Sequence, residues 1–185
     1  MAKKMLRPGN FLYPLPVVLV TSGEEGEDNI ITVAWVGTFC SDPPMVGIGV
    51  RPQRYSHGLL VKTGEFVVNV PTADQVEKVD LCGMKSGRKD DKFELAGFTR
   101  APAAKVRAPL LEECPLNLEC VVRSRLSLGS HDLFVGEVVA VHVDESALDD
   151  RERLVPERLN PLAYHYRSYW SLGRRLLGYG GSVRK

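Results

Sequence analysis

The fold turns on residues 29–60, NIITVAWVGTFCSDPPMVGIGVRPQRYSHGLL. In its first eight residues Ile31, Val33 and Trp35 alternate with Ile30, Thr32, Ala34 and Val36, so both faces are apolar or small. A strand of that kind is covered on both sides or closed into a barrel. Asp42, Pro43 and Pro44 then bend the chain, and residues 45–50 (MVGIGV) read as another strand. Gly47 and Gly49 leave one of its faces bare, a sign that another backbone or a flat ligand lies close. From 55 to about 63 the pattern turns helical, with Ser56 placed to cap and Gly64 to stop the helix.

Outward from this stretch the strands continue. Residues 16–22 (PVVLVTS) are rich in β-branched side chains and meet 29–36 across the polar turn GEEGEDN. EFVVNV (65–70) is a further strand ended by Pro71, and a second helix runs from a Thr72 or Asp74 cap to about Gly83. Residues 88–98 read as a charged loop with one helical turn. From 117 a long strand has Leu118, Cys120, Val122, Leu126 and Leu128 on one face and Glu119, Arg123 and Arg125 on a wet one. GSHD (129–132) turns the chain into its partner strand, 133–143. The expected architecture is mainly β (α+β): an antiparallel, Greek-key-like barrel with short flanking helices. One domain spans 1–185, with 1–10 and 175–185 peripheral.

Composition narrows the partners. A chain of 185 residues, 44% hydrophobic and 25% charged, supports a real core and is not a disordered sequence. Lys plus Arg number 24 against 23 Asp plus Glu, so the large positive excess that nucleic acid or an anionic membrane surface requires is missing. Cys40, Cys82, Cys114 and Cys120 form no CxxC pair, which argues against a metal site and for free thiols in a reducing, cytoplasmic setting. Pro8, Pro14 and Pro16 interrupt the only stretch resembling a signal peptide, and no run approaches the ~18 apolar residues of a membrane span.

The familiar nucleotide loops are absent: after Gly47 and Gly49 the third glycine of a dinucleotide fingerprint would fall at Pro52. A better anion site is RYSHGLL, where Arg54, Ser56 and His57 stand at a helix start behind Arg51. SGRKDDK supplies a second basic segment with Arg88, Lys89 and Lys92 after Gly87. These two segments flank strand 65–70 and are placed to converge on one phosphate. Trp35, near a strand end, would present a rim of free backbone groups suited to a flat heteroaromatic. Tyr164, Tyr166, Tyr169 and Trp170 cluster near the tail, as aromatics at a domain or dimer surface do.

The series SDPP, RYSH, EFVVNVP, SGR..DKF and GSHD, in that order, resembles the flavin reductase-like proteins with the FMN-binding split-barrel fold, and within them the flavoredoxins. The resemblance runs from about Pro14 to the tail. It implies non-covalently bound FMN in a homodimer, each flavin near the subunit interface. By position, Trp35 and the backbone from Val36 through Gly37 and Thr38 to Ser41 would line the isoalloxazine, with Asn29 adding a polar contact. Arg54, Ser56, His57, Ser86 and Lys92 would hold the phosphate, while His131 and Tyr164 would reach the ring. The implied function is a redox protein, either a flavoredoxin-like carrier served by a partner protein or an oxidoreductase using NAD(P)H. The cofactor carries the chemistry, so no side chain is expected to be an obligatory acid or base. The competing reading is a non-catalytic flavin- or haem-binding split-barrel module.

Overall fold

The computed structural model describes residues 1–183. After an exposed amino-terminal stretch, β1 (Leu15–Pro16) leads into the expected hairpin of β2 (Val18–Glu24) and β3 (Glu27–Val33). Its turn needs Gly26 at φ 82°, a conformation that glycine adopts without steric cost. The chain then forms β4 (Val36–Ser41), which the sequence did not predict, and β5 (Pro44–Val50). Residues 29–36 are thus not one strand: the chain bends at Ala34 and Trp35. The carbonyl of Trp35 accepts from Gly49 N–H at 2.7 Å, so the bend is itself tied to β5.

Helix α1 (Tyr55–Thr63) ends at Gly64, which takes the left-handed φ of 67° and donates to the Leu60 carbonyl. β6 (Glu65–Val70) follows, then a capping box of Thr72 and Gln75 that opens α2 (Val76–Met84). α3 (Lys92–Ala96) is the expected single turn, capped by Asp91. The short β7 (Arg100–Ala101) and β8 (Leu110–Leu111) pair with each other. The two long strands β9 (Leu116–Ser127) and β10 (Asp132–Val143) form the second hairpin. A short α4 (Pro156–Leu159) precedes a tail hairpin, β11 (Leu162–His165) and β12 (Ser168–Ser171), which pairs with β1.

The main sheet is antiparallel throughout and has seven strands in the order β3-β2-β6-β9-β10-β5-β4. Both faces of β2 are buried; in β3, where the sequence implied such cover, Ile30, Ile31 and Val33 are buried. Val18 and Val20 join Ile48, Phe66 and Phe134 in the inner core. Val17 and Leu19 face outward under α2 and α3 with Phe93 and Leu111. Each of these large side chains stabilises the fold by roughly 1.5–3 kcal/mol on burial.

Glu119 is a correction. Expected on a wet face, it is fully buried because residues 102–108 fold across that part of the sheet. Its carboxylate accepts the N–H groups of Ala104, Lys105 and Val106, and His142 Nε2 lies 2.5 Å away. Among the described residues all four cysteines are free, no group of ligands suits a metal ion, and no helix is long and apolar enough to cross a membrane.

Candidate functional site

A cleft of about 330 Å³ opens between the β3–β4 bend, the end of β5, helix α2 and the tail hairpin. One wall is the backbone and side chains of residues 31–35. Gly49 allows a close approach here: a Cβ would stand 3.1 Å from that of Trp35. A Cβ on Gly47 would meet the Phe39 ring at 2.5 Å. The bare face of β5 is therefore approached by the chain's own Phe39 and Trp35.

Trp35 and His131 lie parallel, with centroids 5.7 Å apart and planes at 6°. Arg51 Nε points at His131 Nε2 at 3.4 Å. A guanidinium only donates, so Nε2 is the acceptor and the ring proton sits on Nδ1, 2.9 Å from Ser130 Oγ. Burial, with the Arg51 charge behind it, holds the His131 pKa below its ordinary value. The imidazole is thus neutral at pH 7, and Arg51 is the permanent cation beside it.

Arg54 closes this cleft and opens a smaller pocket of about 60 Å³, lined also by Asn29, Tyr55, Ser86, Gly87 and Lys92. The two basic segments do meet, and Arg88 Nη1 braces them by donating to the Gln53 carbonyl at 3.2 Å. Gly87 makes the pocket possible: a Cβ there would overlap the Asn29 amide and stand 2.8 Å from the Tyr55 ring. Lys92 is only 3% exposed, its Nζ donating to the carbonyls of Cys82 at 2.9 Å and Lys85 at 3.5 Å. Burial lowers its pKa to about 8, Arg54 pushing the same way, and burial raises the nearby Cys82 thiol to about 11.

Several expected positions move. Ser56 does not cap α1; Arg54 holds the N-cap place and Ser56 Oγ accepts from Asn29 Nδ2 at 2.8 Å beneath the helix. His57 faces away from the small pocket, with Nε2 against Asp132 Oδ2 at 2.8 Å and its ring edge-on to Phe134. Both side chains follow from the first turn of α1 being pressed into the sheet, where they are buried. Gly37, Thr38 and Ser41 pair with Gly47, Val46 and Pro44 along β4 and do not line the cleft. Val36 lines a separate groove with the amino-terminal stretch. The backbone beside the cleft is that of residues 31–35, one segment earlier than expected.

Tyr164 does line the cleft, beside Tyr169 at 6.0 Å. Tyr169 donates its hydroxyl to Asp80 Oδ1 at 3.1 Å, latching the tail hairpin onto α2. Burial and the Asp80 carboxylate raise the Tyr169 pKa, so it stays a donor. Asp80 and Tyr169 were not assigned to the site from sequence, and Arg51, counted there with the basic segment of the anion site, lines the larger cleft instead. Only Arg51, beside RYSH, and Tyr169, in the aromatic cluster, carried a local signal.

A family model described as "Flavin reductase like domain" matches residues 10–173. Among solved structures, the flavoredoxin from Methanosarcina acetivorans is 34% identical with a TM-score of 0.89, covering 99% of this chain and 100% of that one. The flavoredoxin of Desulfovibrio vulgaris (Miyazaki F) is 30% identical with a TM-score of 0.91 and the same coverage. An FMN-binding protein from Thermus thermophilus, its structure determined with bound 1-cyclohex-2-enone, is 28% identical with a TM-score of 0.81, covering 96% of this chain and 97% of that one.

Proposed function

The chain belongs to the flavin reductase-like family, and from that premise we propose that it holds FMN non-covalently and passes electrons through it. The observation that carries this reading is the join at Arg54 between a cleft fit for a flat ring and a pocket fit for an anion. The pocket offers the guanidinium of Arg54, the ammonium of Lys92, the Ser86 hydroxyl and a glycine at 87 that leaves the space open. Bound FMN supplies the redox chemistry, accepting and releasing electrons. Trp35, His131 and Tyr164 would border the ring, and Arg51 would keep a positive charge at its edge without itself exchanging protons.

Electrons arrive from NAD(P)H at the open side of the cleft or from a partner redox protein; bleaching of the loaded protein by NADH or NADPH alone favours the former. We extend the proposal to a homodimer in the cytoplasm. Exposed Phe39, Leu128 and Trp170 are the contact residues we assign to the first part, and four free thiols support the second. Reconstitution tests the central reading. The protein mixed with FMN, then desalted, should retain a yellow flavin spectrum, whereas a colourless product overturns it. Sedimentation of the loaded protein as a monomer would remove the dimer.

A further inference from the structure

We propose that the buried His57–Asp132 pair is a positioning device for His131, holding that imidazole flat against Trp35 at the cleft. His57 lies in the first turn of α1 and Asp132 opens β10, 75 residues away. His57 Nε2 stands 2.8 Å from Asp132 Oδ2, and the same oxygen receives Arg125 Nε at 2.9 Å and Nη2 at 2.6 Å. The Asp132 side chain is 2% exposed. A buried carboxylate held between an imidazole and a half-exposed guanidinium gives little net stability against well-packed apolar replacements, and we assign its value to what it orients.

What it orients follows from strand geometry. Consecutive side chains of a strand point to opposite faces. Asp132 and Phe134 therefore share the buried face of β10, and His131, the turn residue joined directly to Asp132 and held by the Leu128 N–H on its carbonyl at 2.9 Å, lies parallel to Trp35. The other end of the clamp holds the opposite wall. His57 N–H donates to the Arg54 carbonyl at 3.0 Å, so the helix start that carries Arg54 is fastened to the strand start that carries His131. Neither His57 nor Asp132 lines the cleft; they act through their neighbours.

The proposal uses the flavin reading only for the identity of the cleft, and its test needs no flavin. The chain has two tryptophans, so Trp170→Phe leaves Trp35 as the sole emitter. A protonated imidazole in contact quenches indole fluorescence. Emission of the FMN-free protein should therefore fall in a step as pH drops through the titration of His131, and His131→Gln should abolish the step. His57→Leu fills the space without a donor and should lose more than half of the step while far-UV circular dichroism stays native. His57→Gln, whose amide still donates to Asp132, should keep it. Should His57→Leu fail to fold, His57→Asn, too short to reach Asp132, takes its place.

A full step in folded His57→Leu or His57→Asn, equal loss in His57→Gln, or a step that survives His131→Gln overturns the proposal. A step that behaves as expected in a protein that never takes up FMN leaves the positioning intact and removes the flavin reading. FMN uptake with a step indifferent to His57 does the reverse.

Discussion

The ammonium of Lys92 donates to the carbonyl oxygen of Cys82 at 2.9 Å, which fixes a buried cation in the wall of the small pocket. Its pKa of about 8 lies below the ordinary lysine value, chiefly through burial. A phosphate favours the protonated form, so FMN affinity should fall as pH rises through about 8. Riboflavin, which has no phosphate, should show no such fall. Flavin fluorescence titrations at several pH values check this, and parallel profiles for the two ligands would remove Lys92 from the phosphate site.

The same shift has a consequence for stability. Between about 8 and the ordinary lysine pKa the unfolded chain binds the proton that folded Lys92 has lost, so folding stability gains with pH across that window. Lys92→Met should remove this gain, as read by denaturant unfolding at pH 8 and pH 10.

Arg54 borders both the cleft and the pocket. Arg54→Gln should weaken FMN by about 1.5–3 kcal/mol, roughly ten- to a hundredfold in Kd, the range for hydrogen bonds to charged groups. Riboflavin affinity should change far less. Equal losses for both ligands would place the phosphate elsewhere.

Gly87→Ala should close the pocket, because the added methyl overlaps the Asn29 amide and crowds the Tyr55 ring. Overpacking of this kind costs about 1–3 kcal/mol. Thermal unfolding should report a lowered Tm, and FMN affinity should fall with it. An unchanged Kd would mean that the phosphate does not enter this pocket.

Much of this arrangement was readable before the structure, and most of the misses come from partners distant in sequence. β2 follows from its β-branched run, β5 and β6 from apolar runs bounded by proline, β9 from side-chain alternation, and the α1 stop from Gly64. The convergence of RYSH and SGRKDDK was legible as charge on two segments flanking one strand. Ser56 and His57 misled because their partners, Asn29 and Asp132, lie 27 and 75 residues away. Glu119 misled likewise, since the covering residues 102–108 carry no pattern announcing where they fold. β4 escaped because GTFCS mixes small and polar side chains and pairs only through β5.

Glu119 should matter to folding and not to the ligand. Glu119→Ala leaves three buried N–H groups and His142 without their acceptor. Denaturant unfolding should show a loss of about 2–4 kcal/mol. The FMN Kd should stay as in the unaltered protein, because this cluster lines neither cavity.

Arg54 standing at the threshold of both cavities makes the site a length gauge. The cleft wall at Trp35 and His131 and the pocket wall at Lys92 are joined by the β5–α1 turn from Arg51 through Arg54 and by helix α2. On the proposed reading, a ligand whose flat ring and terminal anion are joined by a shorter tether would fill one chamber or the other. Discrimination among ring-bearing phosphates would then rest on spacing as well as on single contacts.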